Sequence, residues 1–215
     1  FLERQSKSEP AKRKQSKSEP VAPAEPSKRK PSVAKKQSFK DKGPWDCFLT
    51  HDWAKDELKR NNHQRVSMLK EALEARGYKT WFDEEMMVGD VGKQMTDGID
   101  GSKTVICFVT DRYCEKANGD GERGDDDNCK REFEYAQQRK GIAKMITVVM
   151  EPCCKVPSAW PSGQVKGKLA NKLYIDLAAD VGTAEFDAGI TQLAQAIRAM
   201  IPATSPDDPA TAPAS

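Results

Sequence analysis

The sequence predicts an α/β domain, one five-stranded parallel sheet flanked by helices on both faces, carried between disordered tails. Three observations lead there. Five short apolar runs recur along the middle of the 215 residues, two of them apolar almost throughout, and stretches of helical periodicity separate them. Strands buried on both faces read as continuous apolar runs, and strands alternating with helices imply parallel pairing through crossovers.

In chain order the strand-like runs are DCFLT (46–50), YKTWF (78–82), KTVICFVT (103–110), KMITVVM (144–150) and KLYIDL (172–177). Between the first two, Val66, Leu69 and Leu73 follow a three–four spacing, and Arg76-Gly77 provides a basic last turn and a stop. After the fifth, Phe186, Ile190, Leu193, Ile197 and Ile201 mark an amphipathic closing helix. The domain is bounded at 43–202, a usual size for one folded unit.

Residues 1–42 are of another kind. They repeat QSKSEP at 5–10 and 15–20, carry KRK at 12–14 and 28–30, and hold almost no large apolar side chains. Such a segment buries too little surface to offset its conformational entropy and is expected to be disordered, as is 203–215. It holds 13 basic and 5 acidic residues, which leaves 22 basic and 28 acidic for the rest. The whole-chain charge of +2 therefore hides a basic tail and a mildly acidic body. An acidic body argues against nucleic-acid binding by the domain. The tail's basic clusters are compatible with nuclear import, with contact to nucleic acid or anionic lipid, or with simple solubility.

Six cysteines, at 47, 107, 114, 129, 153 and 154, form no CxxC pair. The two histidines, His51 and His63, are not spaced beside them as zinc ligands usually are. Reduced thiols, no metal and a cytoplasmic setting are the expectation, with the nucleus as the alternative. No run approaches the roughly 20 apolar residues of a membrane span, and no signal-peptide pattern is present.

In parallel sheets ligands gather beyond the carboxyl ends of the strands. That draws attention to His51-Asp52-Trp53, to Asp83-Glu84-Glu85, to Asp111, and to the material after the third strand. Phosphate loops fail on pattern: GDVGKQ lacks the Walker spacing, and no GxGxxG follows a strand. NGDGERGDDD lacks the glycine and closing glutamate of an EF-hand at their offsets. A phosphoreceiver would use Asp111, but the acid pair after the first strand is only half present, and no lysine ends KLYIDL.

The stretch NCKREFEYA (128–136) holds two glutamates with different surroundings. At about 100° per residue, Cys129, Phe133 and Ala136 fall together and form an apolar stripe. Glu132 falls roughly 70° from its centre, at the margin, and Glu134 roughly 130° away, in water. On the wheel alone Glu132 is either an ion-pair partner or a carboxylate placed for chemistry.

These motifs together resemble a Toll/interleukin-1 receptor (TIR) domain, from about Trp45 to Ile201. WDCFLTHDW is similar to the family's first box, and GYKTWFDEEMMVGD to its second strand and following loop. DGIDGSKTVICFVTDRYC is similar to the next helix and third strand. NCKREFEYA is similar to its cysteine–two residues–glutamate pattern. The resemblance implies a flavodoxin-like fold and, in NAD-cleaving members, a catalytic glutamate at the position of Glu132. It implies NAD+ as substrate rather than cofactor, with His51, Asp52 and Trp53 lining the nucleotide pocket. Asp83 and Gly89 fall in a loop that also mediates contacts between copies. Self-association with other TIR domains is the expected partnership. A non-catalytic adaptor is the alternative. Two departures stand out: Asn128 replaces a tryptophan, and His51-Asp52 stands where many enzymatic members have a basic residue, for which Lys55 or Arg65 would have to compensate.

Overall fold

The computed structural model describes residues 43–82 and 91–201. Both tails fall outside those residues, as do Asp83 and Gly89 of the loop after the second strand.

Five strands, β1 (Trp45–His51), β2 (Thr80–Trp81), β3 (Ser102–Val109), β4 (Met145–Val149) and β5 (Tyr174–Asp176), form one parallel sheet in the order β2-β1-β3-β4-β5. The two runs that are apolar almost throughout, β3 and β4, are central together with β1, and nearly every residue of these three strands is buried. The edge strands are shorter than the runs predicted. Of YKTWF only Thr80 and Trp81 pair with β1. The Lys79 amide is taken by the Asp46 carboxylate at 2.8 Å, and the Tyr78 hydroxyl by the Ala194 carbonyl at 2.8 Å. At the other edge Leu173 is 98% exposed, and β5 begins only after it.

Among the described residues six α-helices lie between and after the strands: α1 (Asn62–Glu74), α2 (Val91–Gly101), α3 (Asp111–Asn118), α4 (Asn128–Lys140), α5 (Gln164–Leu169) and α6 (Ala184–Met200). The α1 and α6 stripes predicted from periodicity, Val66, Leu69 and Leu73 with Phe186, Ile190, Leu193 and Ile197, pack together on one sheet face over Leu49, Phe108 and Val148. Ile201 is the cap rather than part of the helix. Helices α2, α3, α4 and α5 bury Ile99, Tyr113, Phe133 and Val165 against the other face. Each such side chain contributes about 1.5–3 kcal/mol on burial, so the two-faced core accounts for the alternation. Asn61 caps α1, Thr110 α3, Asp127 α4 and Thr183 α6, each side chain accepting an amide hydrogen from the first turn. Gly98 of α2 lies so close to Trp81 that a Cβ there would fall 2.5 Å from the indole. That approach sets the indole over Phe48, ring centroids 4.3 Å apart.

The chain leaves β1 toward β2 and returns to the opposite side for β3, so the order reverses between β1 and β3. Beyond a reversal of this kind a crevice opens at the carboxyl ends of the strands. No described helix is long and apolar enough to cross a membrane.

Candidate functional site

A cavity of about 480 Å³ occupies that crevice, within the range of small-molecule sites (roughly 300–1,000 Å³). Its walls come from the end of β1 (Leu49, His51, Trp53), from α3 (Arg112, Glu115, Lys116), from the loop 120–127, and from the first turns of α4 (Asn128, Cys129, Glu132).

Glu132 is buried, 7% exposed. Sequence placed it at a helix margin; in the fold β1 closes over that margin. Thr50 donates its hydroxyl hydrogen to Glu132 Oε2 at 2.6 Å. Thr50 has only one hydrogen to give. The Tyr113 hydroxyl, 3.2 Å from Thr50 Oγ1, must therefore be the donor to Thr50. A relay from a fully buried tyrosine through Thr50 thus fixes the carboxylate from the side of the core. Glu132 also lines a smaller cavity of about 40 Å³ beside Trp81, Met95 and Arg131. Glu134, by contrast, is exposed, within 3.5 Å of the Lys130 ammonium.

The β1 end builds an aromatic wall. His51 Nε2 and His63 Nδ1 are 2.8 Å apart. The two rings stack with Phe82, each about 5.1 Å from it, and Trp53 lies over His63 at 4.0 Å. Burial, and next the neighbouring His63, push the His51 pKa down to about 3, so its imidazole is neutral at physiological pH. Trp53 is 41% exposed and presents its ring at the cavity. Burial, and next Glu132, raise the Cys129 thiol well above its usual value, so it is protonated there and not a nucleophile.

Asp52 lies behind the wall. Its carboxylate takes Lys116 Nζ at 2.8 Å and the Ala54 amide at 2.9 Å, with Arg112 Nε at 3.6 Å. Lys116 also approaches Asp127 at 3.7 Å. Burial opposes the Lys116 charge, but the Asp52 and Asp127 carboxylates outweigh it and raise its pKa.

The match to the family model described as TIR domain spans residues 48–194, most of the chain and nearly all of the sheet. The chain belongs to the TIR-domain family. No curated protein matches it.

In this TIR domain four of the six predicted site residues, His51, Asp52, Trp53 and Glu132, gather at one crevice, Asp52 through its partners Lys116 and Arg112. Asp83 and Gly89 lie outside the described residues. The expected substitute cations are corrected. Arg65 is 4% exposed and spends its guanidinium on Asp56 and on the carbonyls of Met150, Leu177 and Ala179. Lys55 faces a different cavity. Among the described residues, the cations that reach the crevice are Arg112, Lys116 and Arg123. Asp111, the phosphoreceiver candidate, opens α3 and likewise lines the other cavity. The acidic loop is an ion-pair partner of α4, with Asp125 2.7 Å from Lys130 and Asp126 2.5 Å from Arg131.

Proposed function

We propose that this TIR domain cleaves the nicotinamide–ribose bond of NAD+, with Glu132 as the catalytic carboxylate. The observation that carries the reading is a buried glutamate, held by a side-chain relay, at the wall of a ligand-sized crevice whose rim is aromatic. In this reading the anomeric C–N bond breaks and its electron pair passes to the pyridinium nitrogen, which becomes neutral nicotinamide. The ribose left behind is oxocarbenium-like, and the Glu132 carboxylate stabilises that positive charge. Water then adds to the sugar and loses a proton to solvent, giving ADP-ribose; attack by an adenine nitrogen gives a cyclic product instead. No general acid is needed, because the leaving group departs uncharged. Trp53 supplies a stacking face, neutral His51 sets its wall, and Asp52 holds Lys116 beside the crevice. Asp83 and Gly89 belong to the loop through which copies assemble, and the active form is an oligomer in the cytoplasm.

A second reading, a non-catalytic adaptor working through TIR–TIR contacts, has its own support. Among the described residues the crevice carries five carboxylates against three cations, and Lys116 is already engaged by Asp52. That balance disfavours a pyrophosphate. Incubating the concentrated full chain with NAD+ and following nicotinamide separates the two. Release that drops at least about 100-fold in Glu132→Ala supports the enzyme. Release that survives removes Glu132 from the chemistry, and none from either protein favours the adaptor.

A further inference from the structure

We infer that Glu151, Cys153 and Cys154 form a binding site for one thiophilic divalent cation of the zinc class, at the carboxyl edge of β4 and away from Glu132. One ligand atom from each of the three lies within 4.8 Å of the other two. The finer distances carry the argument. Tetrahedral zinc, with Zn–S about 2.3 Å and Zn–O about 2.0–2.2 Å, separates two sulfurs by about 3.8 Å and a sulfur from an oxygen by about 3.6 Å. Here the two Sγ atoms are 3.9 Å apart, and Cys154 Sγ is 3.8 Å from Glu151 Oε1. An edge of the coordination polyhedron is already formed.

The carboxylate is also preset. Glu151 is 2% exposed, and its two oxygens accept from the Asp111 amide at 2.5 Å and the Glu57 amide at 2.8 Å. A carboxylate has about four acceptor sites, so these bonds orient it while leaving lone pairs for a metal, as outer partners of metal ligands commonly do. Glu151 and Cys153 face a cavity of about 450 Å³, where water can complete the tetrahedron. That cavity carries five carboxylates against the cations Lys55, Lys59 and Arg112, a balance that attracts a cation. Sulfur ligands select against the oxygen-seeking calcium and magnesium. No histidine stands near these thiols in sequence, and the carboxylate of Glu151 takes the place of one as the third ligand.

Binding replaces two S–H bonds by two metal–sulfur bonds and sends two protons to solvent.

The test titrates the reduced, chelator-treated full chain with Cd2+ alone, reading the thiolate-to-metal absorption. One ion per chain, with affinity lowered at least about tenfold in Cys153→Ser, is the expected result. Cys153 is the exposed cysteine, so that variant keeps its fold, checked by an unchanged melting temperature before metal is added. Absence of binding, or equal affinity in Cys153→Ser, would overturn the site.

Discussion

Two buried glutamates stand at the same edge of the sheet, and they are held in opposite ways. Glu151 is fixed by backbone: its oxygens take amide hydrogens from Glu57 in the loop after β1 and from Asp111 at the start of α3. Glu132 is fixed by a side chain, the Thr50 hydroxyl, itself supported by Tyr113. A carboxylate bonded to amides of two other segments is part of how the chain folds. One positioned by a hydroxyl relay at a cavity wall also links segments, α4 to β1 and α3, but through side chains that can reorient, which suits it to chemistry. The contrast predicts that the two glutamates fail differently when changed.

The largest effect is expected at Glu132. Gln there is isosteric and can still accept from Thr50, so it removes the charge and keeps the packing. Nicotinamide release should fall at least about 100-fold, equivalent to about 2.7 kcal/mol of transition-state stabilisation, with little change in melting temperature. If release instead tracked stability, the carboxylate would be a structural group and the comparison would collapse.

Glu151→Ala should do the reverse. It leaves two amides without their acceptor, each costing about 1–3 kcal/mol where buried. We expect about 2–4 kcal/mol lost in urea unfolding. A neutral outcome would mean that the loops after β1 and β4 and the start of α3 hold together without it.

His51 provides a pH-dependent test of the wall beside Glu132. Its pKa is about 3 in the fold, where burial and then His63 resist its charge, against about 6.5 when unfolded. Between these values the unfolded chain binds the extra proton, so stability falls as pH falls through that window. From pH 7 to pH 5 the wild type should lose about 2 kcal/mol more than His51→Gln. Equal losses would show that the ring is not held neutral.

Much of this was legible in the sequence because much of it is local. The runs of β3 and β4 are apolar on both faces, and the α1 and α6 stripes repeat at helical spacing. The wheel separated Glu132 from Glu134. What it could not supply was the depth of Glu132, which depends on Thr50, 82 residues earlier. Lys116 was invisible for the same reason, since its partner Asp52 lies 64 residues away. Arg65 was misread although a signal existed: it stands four residues before Leu69, on the buried stripe of α1. A cation on such a stripe is far more often satisfied by carbonyls than open to a ligand, and here Met150, Leu177 and Ala179 provide them. The edge strands fell short because propensity alone does not reveal which backbone groups meet side chains instead of a neighbouring strand.

The smallest effect is expected at Glu134, two residues from Glu132 on the same helix. Its side chain is 51% exposed and meets Lys130 at 3.5 Å, while Lys130 is closer to Asp125 at 2.7 Å. Gln164 adds one amide contact at 3.3 Å. An exposed pair of this kind contributes about 0–1 kcal/mol, and Lys130 keeps its better partner when Glu134 is removed. Glu134→Ala should therefore change stability by less than about 0.5 kcal/mol and leave nicotinamide release within about twofold. A loss as deep as at Glu132 would mean that the site responds to either carboxylate of α4. Position on the helix would then not distinguish the two carboxylates, and the relay from Tyr113 through Thr50 would lose its significance.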